Sequence, residues 1–88
     1  MKAIHLFLSG NVQGVGFRYT TKQLANEFEI NGAVKNREDG RVEIWAEGEE
    51  EQLTQFINAL KDAFPTQITK SEEREQSPQN FSSFEILH

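Results

Sequence analysis

Gly10-Asn11-Val12-Gln13-Gly14-Val15-Gly16-Phe17-Arg18 is the stretch on which the reading of this 88-residue chain turns. Before it, Ile4, Leu6 and Leu8 alternate with His5, Phe7 and Ser9, the period of a half-buried strand from Lys2 to Ser9. After it, Leu24, Ala25 and Phe28 recur at helical spacing. A helix is expected from Arg18 to about Ile30, ended by Asn31-Gly32. The stretch is thus a glycine-rich turn from strand to helix, open to positive φ and to close approach of another group.

The turn lacks a cap. No Ser, Thr or Asp stands between Val12 and Phe17, although the first N–H groups of a helix have no internal partner and a side chain usually satisfies one of them. What remains is backbone N–H groups, the positive end of a helix dipole and one guanidinium, Arg18. Those are the means of holding a phosphate or carboxylate. Taken alone, a turn of this kind is more often a hydrated surface turn beside a solvated arginine. Its spacing fits neither the P-loop nor the dinucleotide fingerprint, and Arg18 stands where a P-loop needs lysine.

The length suits one domain with one core, residues 1–88. The net charge of −5 argues against a broad nucleic-acid footprint and requires any anion site to be local and rich in donors. Cysteine is absent and only His5 and His88 carry imidazoles, so neither a disulfide framework nor a closed zinc site is expected. No basic-then-apolar leader or long apolar span appears, so a cytoplasmic chain with no membrane partner is expected.

A short strand follows from Gly32 to Arg37, then a hairpin turn at Glu38-Asp39-Gly40 and a strand from Arg41 to Glu47. Val42, Ile44 and Ala46 face the core; Glu43, Trp45 and Glu47 share the other face with His5 and Phe7. Gly48 opens a second helix running to Phe64. Leu53, Phe56, Ile57, Leu60 and Phe64 form its apolar stripe, Glu49 to Glu51 its acidic start, and Pro65 its stop. A weak strand from Gln67 to Arg74, with Ile68 its only strong apolar residue, belongs at a sheet edge. Glu75 to Asn80 is a polar, mobile loop, and Phe81 to Leu87 a last short strand. The order β-α-β-β-α-β plus a terminal strand, with right-handed crossovers, puts both helices on one face of an antiparallel sheet. That is a ferredoxin-like α+β sandwich.

Two segments together resemble the acylphosphatase family: residues 10–18, and Gly32-Ala33-Val34-Lys35-Asn36-Arg37-Glu38-Asp39-Gly40-Arg41-Val42 with Gly48 beyond it. The resemblance reverses the balance for the turn. It implies a small hydrolase of carboxyl–phosphate anhydrides that uses no metal or organic cofactor. Arg18 would be the family's phosphate-binding arginine. Val12, Gln13, Gly14, Val15, Gly16 and Phe17 would form the backbone cradle for phosphate. Asn36 would orient the attacking water. The partners implied are an acyl phosphate, with inorganic phosphate or sulfate as competing ligands, on a monomer. Ala33 departs from a large aromatic and Ser71 from an aliphatic in the family pattern, which bears on packing rather than chemistry.

Two other readings compete. One is a domain like the acylphosphatase-like N-terminal part of hydrogenase maturation proteins, which handle carbamoyl phosphate; a stand-alone chain of this length argues against it. The other is a non-catalytic ligand- or RNA-binding module of the same fold, needing exposed aromatics and basic residues on the sheet. Phe7 and Trp45 hint at that, but Glu43 and Glu47 flank Trp45.

Overall fold

The computed structural model describes residues 1–88. In chain order it contains β1 (Lys2–Gly10), α1 (Phe17–Glu27), β2 (Asn31–Asn36), β3 (Val42–Gly48), α2 (Glu50–Ala63), β4 (Ile68–Gln76) and β5 (Phe84–Leu87). One five-stranded sheet runs in the order β4-β1-β3-β2-β5. Four strands pair antiparallel, with Leu6 opposite Ile44 and Val34 opposite Ile44.

The period-2 pattern sets the faces. Ile4, Leu6, Leu8, Val34, Val42, Ile44 and Ala46 are all buried in one core with Leu53, Phe56, Ile57, Leu60 and Phe64 of α2. Helix α1 joins that core through Phe17, Thr21 and Ala25, with Leu24 and Phe28 packed at its margin. The Phe17 and Phe64 rings lie 4.6 Å apart and tie the two helices together. No helix is long and apolar enough to cross a membrane.

Several boundaries differ from expectation. The sheet is mixed, because β5 runs parallel to β2. Strand β4 extends to Gln76, since edge pairing with β1 continues through its charged residues, and β5 begins only at Phe84. Gly48 closes β3 instead of opening α2. Helix α1 ends at Glu27, and its left-handed exit residue is Glu29 (φ 59), not a glycine. The Glu29 N–H bonds the Asn26 carbonyl at 3.4 Å and the Ile30 N–H bonds the Ala25 carbonyl at 2.7 Å, the hydrogen-bond pattern of a Schellman stop. Gly32 serves the sheet: a Cβ there would sit 1.8 Å from the Trp45 carbonyl oxygen.

The face away from the helices is not a bare platform. Glu47 is buried and accepts N–H bonds from Gln79 and, at 3.0 Å, from Phe81. The Asn31 amide donates to the Phe81 carbonyl at 3.1 Å. The segment between β4 and β5 is thereby pinned across that face. Ala33 pairs with Trp45 in register, and Ser71 pairs with Leu8 on the edge strand.

Candidate active site

The turn between β1 and α1 is anchored at its ends and open in its middle. Val12 and Phe17 are fully buried in the core, while Gly14, Val15 and Gly16 are exposed. Gly14 and Gly16 adopt φ of 77° and 74°, and nothing lies within 4 Å of where a Cβ would be. Their requirement is therefore conformational and not steric. For an L-residue that conformation costs about 1–2 kcal/mol.

The consequence is a run of unused donors. Asn11 N–H bonds the Gln67 carbonyl, and Thr20 N–H bonds the Gly16 carbonyl. Between them, no backbone N–H from residue 12 to residue 19 donates to another backbone group. Gly16 is the N-cap of α1, no side chain caps the helix, and no acidic residue stands in its first turn. Helix α2 differs, with Glu50 and Glu51 in its first turn. The positive end of α1 is thus left for a ligand's charge.

Arg18 sits on that first turn, half-buried. Its Nη1 donates to the Leu87 carbonyl at 3.0 Å and lies 3.3 Å from His88 Nδ1. Strand β5 therefore holds the guanidinium by one nitrogen, leaving the Nε–Nη2 edge for two oxygens of a tetrahedral anion. Asn36 ends β2 and lines the same cleft, of about 250 Å³, as Val12, Gly14, Gly16, Phe17 and Arg18. Tyr19, Ile86 and His88 complete its wall. The Asn36 Oδ1 is buried with no hydrogen-bond partner. An acceptor left so costs about 1–3 kcal/mol.

Arg18, Asn36 and four cradle residues thus meet in one cleft. Gln13 and Val15 do not line it. The Gln13 side chain instead reaches the β2–β3 hairpin, donating from Nε2 to the carbonyls of Arg37 (2.9 Å) and Arg41 (3.1 Å). No local sequence signal marks that contact, which joins residues more than twenty positions apart.

The hairpin beyond Asn36 is cross-braced. The Asp39 carboxylate accepts from the Arg41 side chain at 2.9 and 3.0 Å and from the Arg41 N–H at 3.1 Å, and these bonds hold its pKa down to about 2. Arg37 donates to Glu43 at 3.0 Å, a bond that raises its pKa, and both arginines lie over the Phe7 ring. Arg37 is therefore held by a carboxylate and an aromatic face at the end of the hairpin. His5 lacks a sequence neighbour to pair with, yet its Nε2 lies 2.7 Å from Glu43, and its ring stacks on Trp45. With Phe7 covered and Trp45 stacked, the sheet face offers no free aromatic row for RNA bases. No group of three or more His, Cys, Asp or Glu is arranged to hold a metal ion.

A five-stranded sheet under two helices, with an uncapped glycine turn, an arginine and an asparagine lining one cleft, defines a ferredoxin-like α+β protein with a cleft suited to an oxyanion. A family model described as Acylphosphatase matches residues 4–86. An acylphosphatase of Archaeoglobus fulgidus is 45% identical over the whole of both chains. The crystal structure of the Bacillus subtilis acylphosphatase superposes with a TM-score of 0.94 at 40% identity, again over the whole of both chains. A full-length HypF in its phosphate- and nucleotide-bound form matches at TM-score 0.92 and 31% identity, over 99% of this chain and 12% of that one. The chain belongs to the acylphosphatase family.

Proposed function

We propose that this chain hydrolyses the carboxyl–phosphate bond of an acyl phosphate, giving a carboxylate and inorganic phosphate by direct attack of water. The turn from Val12 to Phe17 holds the phosphoryl oxygens by backbone N–H groups, and Arg18 takes two of them with its free edge. Asn36 orients the attacking water through its side-chain amide. The observation that carries this reading is the meeting of three features in one cleft: the unused N–H groups, the half-engaged guanidinium and the Asn36 side chain.

The chemistry is consistent with these groups. Water oxygen bonds to phosphorus as the phosphorus–carboxylate oxygen bond breaks, and the carboxylate leaves with the electron pair. In a loose transition state the water loses its proton late, so an amide that orients it suffices, and the proton passes to a phosphate oxygen or solvent. Charge on the equatorial oxygens is met by fixed donors. As proposed, the reaction needs no metal, no cofactor and no covalent phosphoenzyme, and the protein works as a cytoplasmic monomer.

The test is hydrolysis of acetyl phosphate and benzoyl phosphate with EDTA present, followed by phosphate release. Turnover that survives chelation and is inhibited competitively by inorganic phosphate is expected. Loss of turnover on chelation, restored by a divalent ion, would contradict the metal-free mechanism.

A further inference from the structure

We infer that Gln13 is a positioning residue: its side-chain amide locks the phosphate turn to the neck of the β2–β3 hairpin and thereby sets where a bound phosphate stands relative to Asn36. The inference rests on the reading of Arg18 and Asn36 given above.

The geometry is specific. Arg37 immediately follows Asn36, and Asn36 pairs with Val42. The hairpin closes through the Arg37 N–H to the Arg41 carbonyl (2.8 Å) and the Gly40 N–H to the Arg37 carbonyl (3.2 Å). Gln13 Nε2 donates to those same two carbonyls, at 2.9 and 3.1 Å. A carbonyl oxygen has two lone pairs and an amide NH₂ two protons, so this bridge is saturated on both sides. It also fixes the amide's orientation, because an oxygen in place of Nε2 would face two other acceptors.

The bridge matters because of what surrounds it. Gly14 and Gly16 leave the middle of the turn without side-chain anchors. The buried side chains of Val12 and Phe17 hold the turn to the core. Gln13 is the side chain in the turn that hydrogen-bonds to the hairpin. From the far side the hairpin is stiffened by Asp39 with Arg41 and Arg37. A turn that carries phosphate and a strand end that carries the water-orienting amide are thus joined by one side chain that need not touch substrate.

The test compares Gln13→Met, similar in shape but without donors, and Gln13→Glu, which sets a carboxylate against two carbonyls. Because a misplaced reacting pair loses rate steeply, kcat should fall about 10- to 100-fold in Gln13→Met and further in Gln13→Glu. The phosphate inhibition constant should stay within about twofold, since the cradle's own donors remain. In an Asn36→Ala background the Gln13→Met loss should shrink to less than about twofold, because the two act on one distance. Multiplying losses in the double variant, or an unchanged kcat in Gln13→Met, would overturn the inference.

Should Gln13→Met fail to fold, Gln13→Asn replaces it. Shorter by one methylene, it cannot span both carbonyls, and the same pattern is expected. A readout independent of turnover follows the Asn36 side-chain amide by NMR during titration with inorganic phosphate. Its resonances should shift in the parent protein and shift much less in the Gln13 variant; equal shifts would overturn the inference. A parent protein inactive on acyl phosphates would refute the proposed function, while this NMR comparison would still decide the role of Gln13.

Discussion

Arg18 and Leu87 are joined across the chain: a guanidinium N–H on the first turn of α1 donates to a carbonyl at the end of β5, 3.0 Å away. Strand β5 lies parallel to β2, whose last residue is Asn36. The same pair of strands thus steadies the cation and carries the amide. In the proposed mechanism Arg18 has two tasks at once, one toward the protein and one toward an anion, and a planar fork of donors serves both.

Arg18→Lys is the direct consequence. An ammonium keeps the charge but cannot hold the Leu87 carbonyl and present a two-oxygen fork together. The expected loss in kcat/KM is about 10²-fold or more, with a parallel rise in the phosphate inhibition constant. Steady-state kinetics with phosphate as inhibitor measure both. A folded Arg18→Lys protein with full activity would reduce the cradle to its backbone donors.

Gly14→Ala and Gly16→Ala test the turn itself. Their Cβ atoms would meet nothing, so any effect arises from left-handed backbone strain of about 1–2 kcal/mol. For a domain of this size that is a fall in melting temperature of about 4–16 °C. Phosphate affinity should weaken as well, because relaxing the strain turns N–H groups away. Thermal melts with and without phosphate separate the two effects. Variants as stable as the parent, with equal phosphate stabilisation, would contradict the argument.

Glu47→Ala removes the acceptor of the Gln79 and Phe81 N–H groups. Leaving partly buried donors unpaired should cost about 2–4 kcal/mol, and the segment from 77 to 83 should become sensitive to limited proteolysis. Glu47→Gln, which keeps one acceptor oxygen, should lose less. Denaturant titration and protease mapping read both outcomes. A Glu47→Ala protein of parental stability would show that the loop is held by other contacts.

Asp39 supplies a pH dependence. Its bonds to Arg41 favour the ionised form, so its pKa falls from 3.8 to about 2 in the folded protein. A depressed folded pKa means that the hairpin brace is fully present above about pH 4 and is lost as the pH falls from 4 through 2. The group is exposed and salt-screened, so its effect on global stability is small. NMR titration of the Asp39 side chain should give a midpoint near 2. A midpoint at the ordinary carboxylate value would remove the brace.

Much of the candidate cleft was legible in the sequence because its features are local. The missing cap, the glycines of the turn and Arg18 lie within nine residues of one another, and strand and helix periods place the core aliphatics on one face. Asn36 came from resemblance to a known family. What escaped reading depends on pairing across the chain. Glu43 and Glu47 alternate away from the core aliphatics, yet both are buried, one by His5 and Arg37 and the other by the backbone of the β4–β5 connection. The exit of α1 was misplaced because Glu29 takes the left-handed position usual for glycine. The Gln13 bridge depends on the β2–β3 hairpin closing beside the turn, which no local pattern encodes.

The central claim is that Asn36 orients water over a phosphate held by Arg18 and the turn. The most direct measurement is kcat beside the inorganic-phosphate inhibition constant for a folded Asn36→Ala protein, with circular dichroism as the control. Removing a preorganised amide that acts in the transition state should lower kcat by about 10²-fold or more while phosphate binds nearly as before. A folded Asn36→Ala protein with parental kcat would contradict the account.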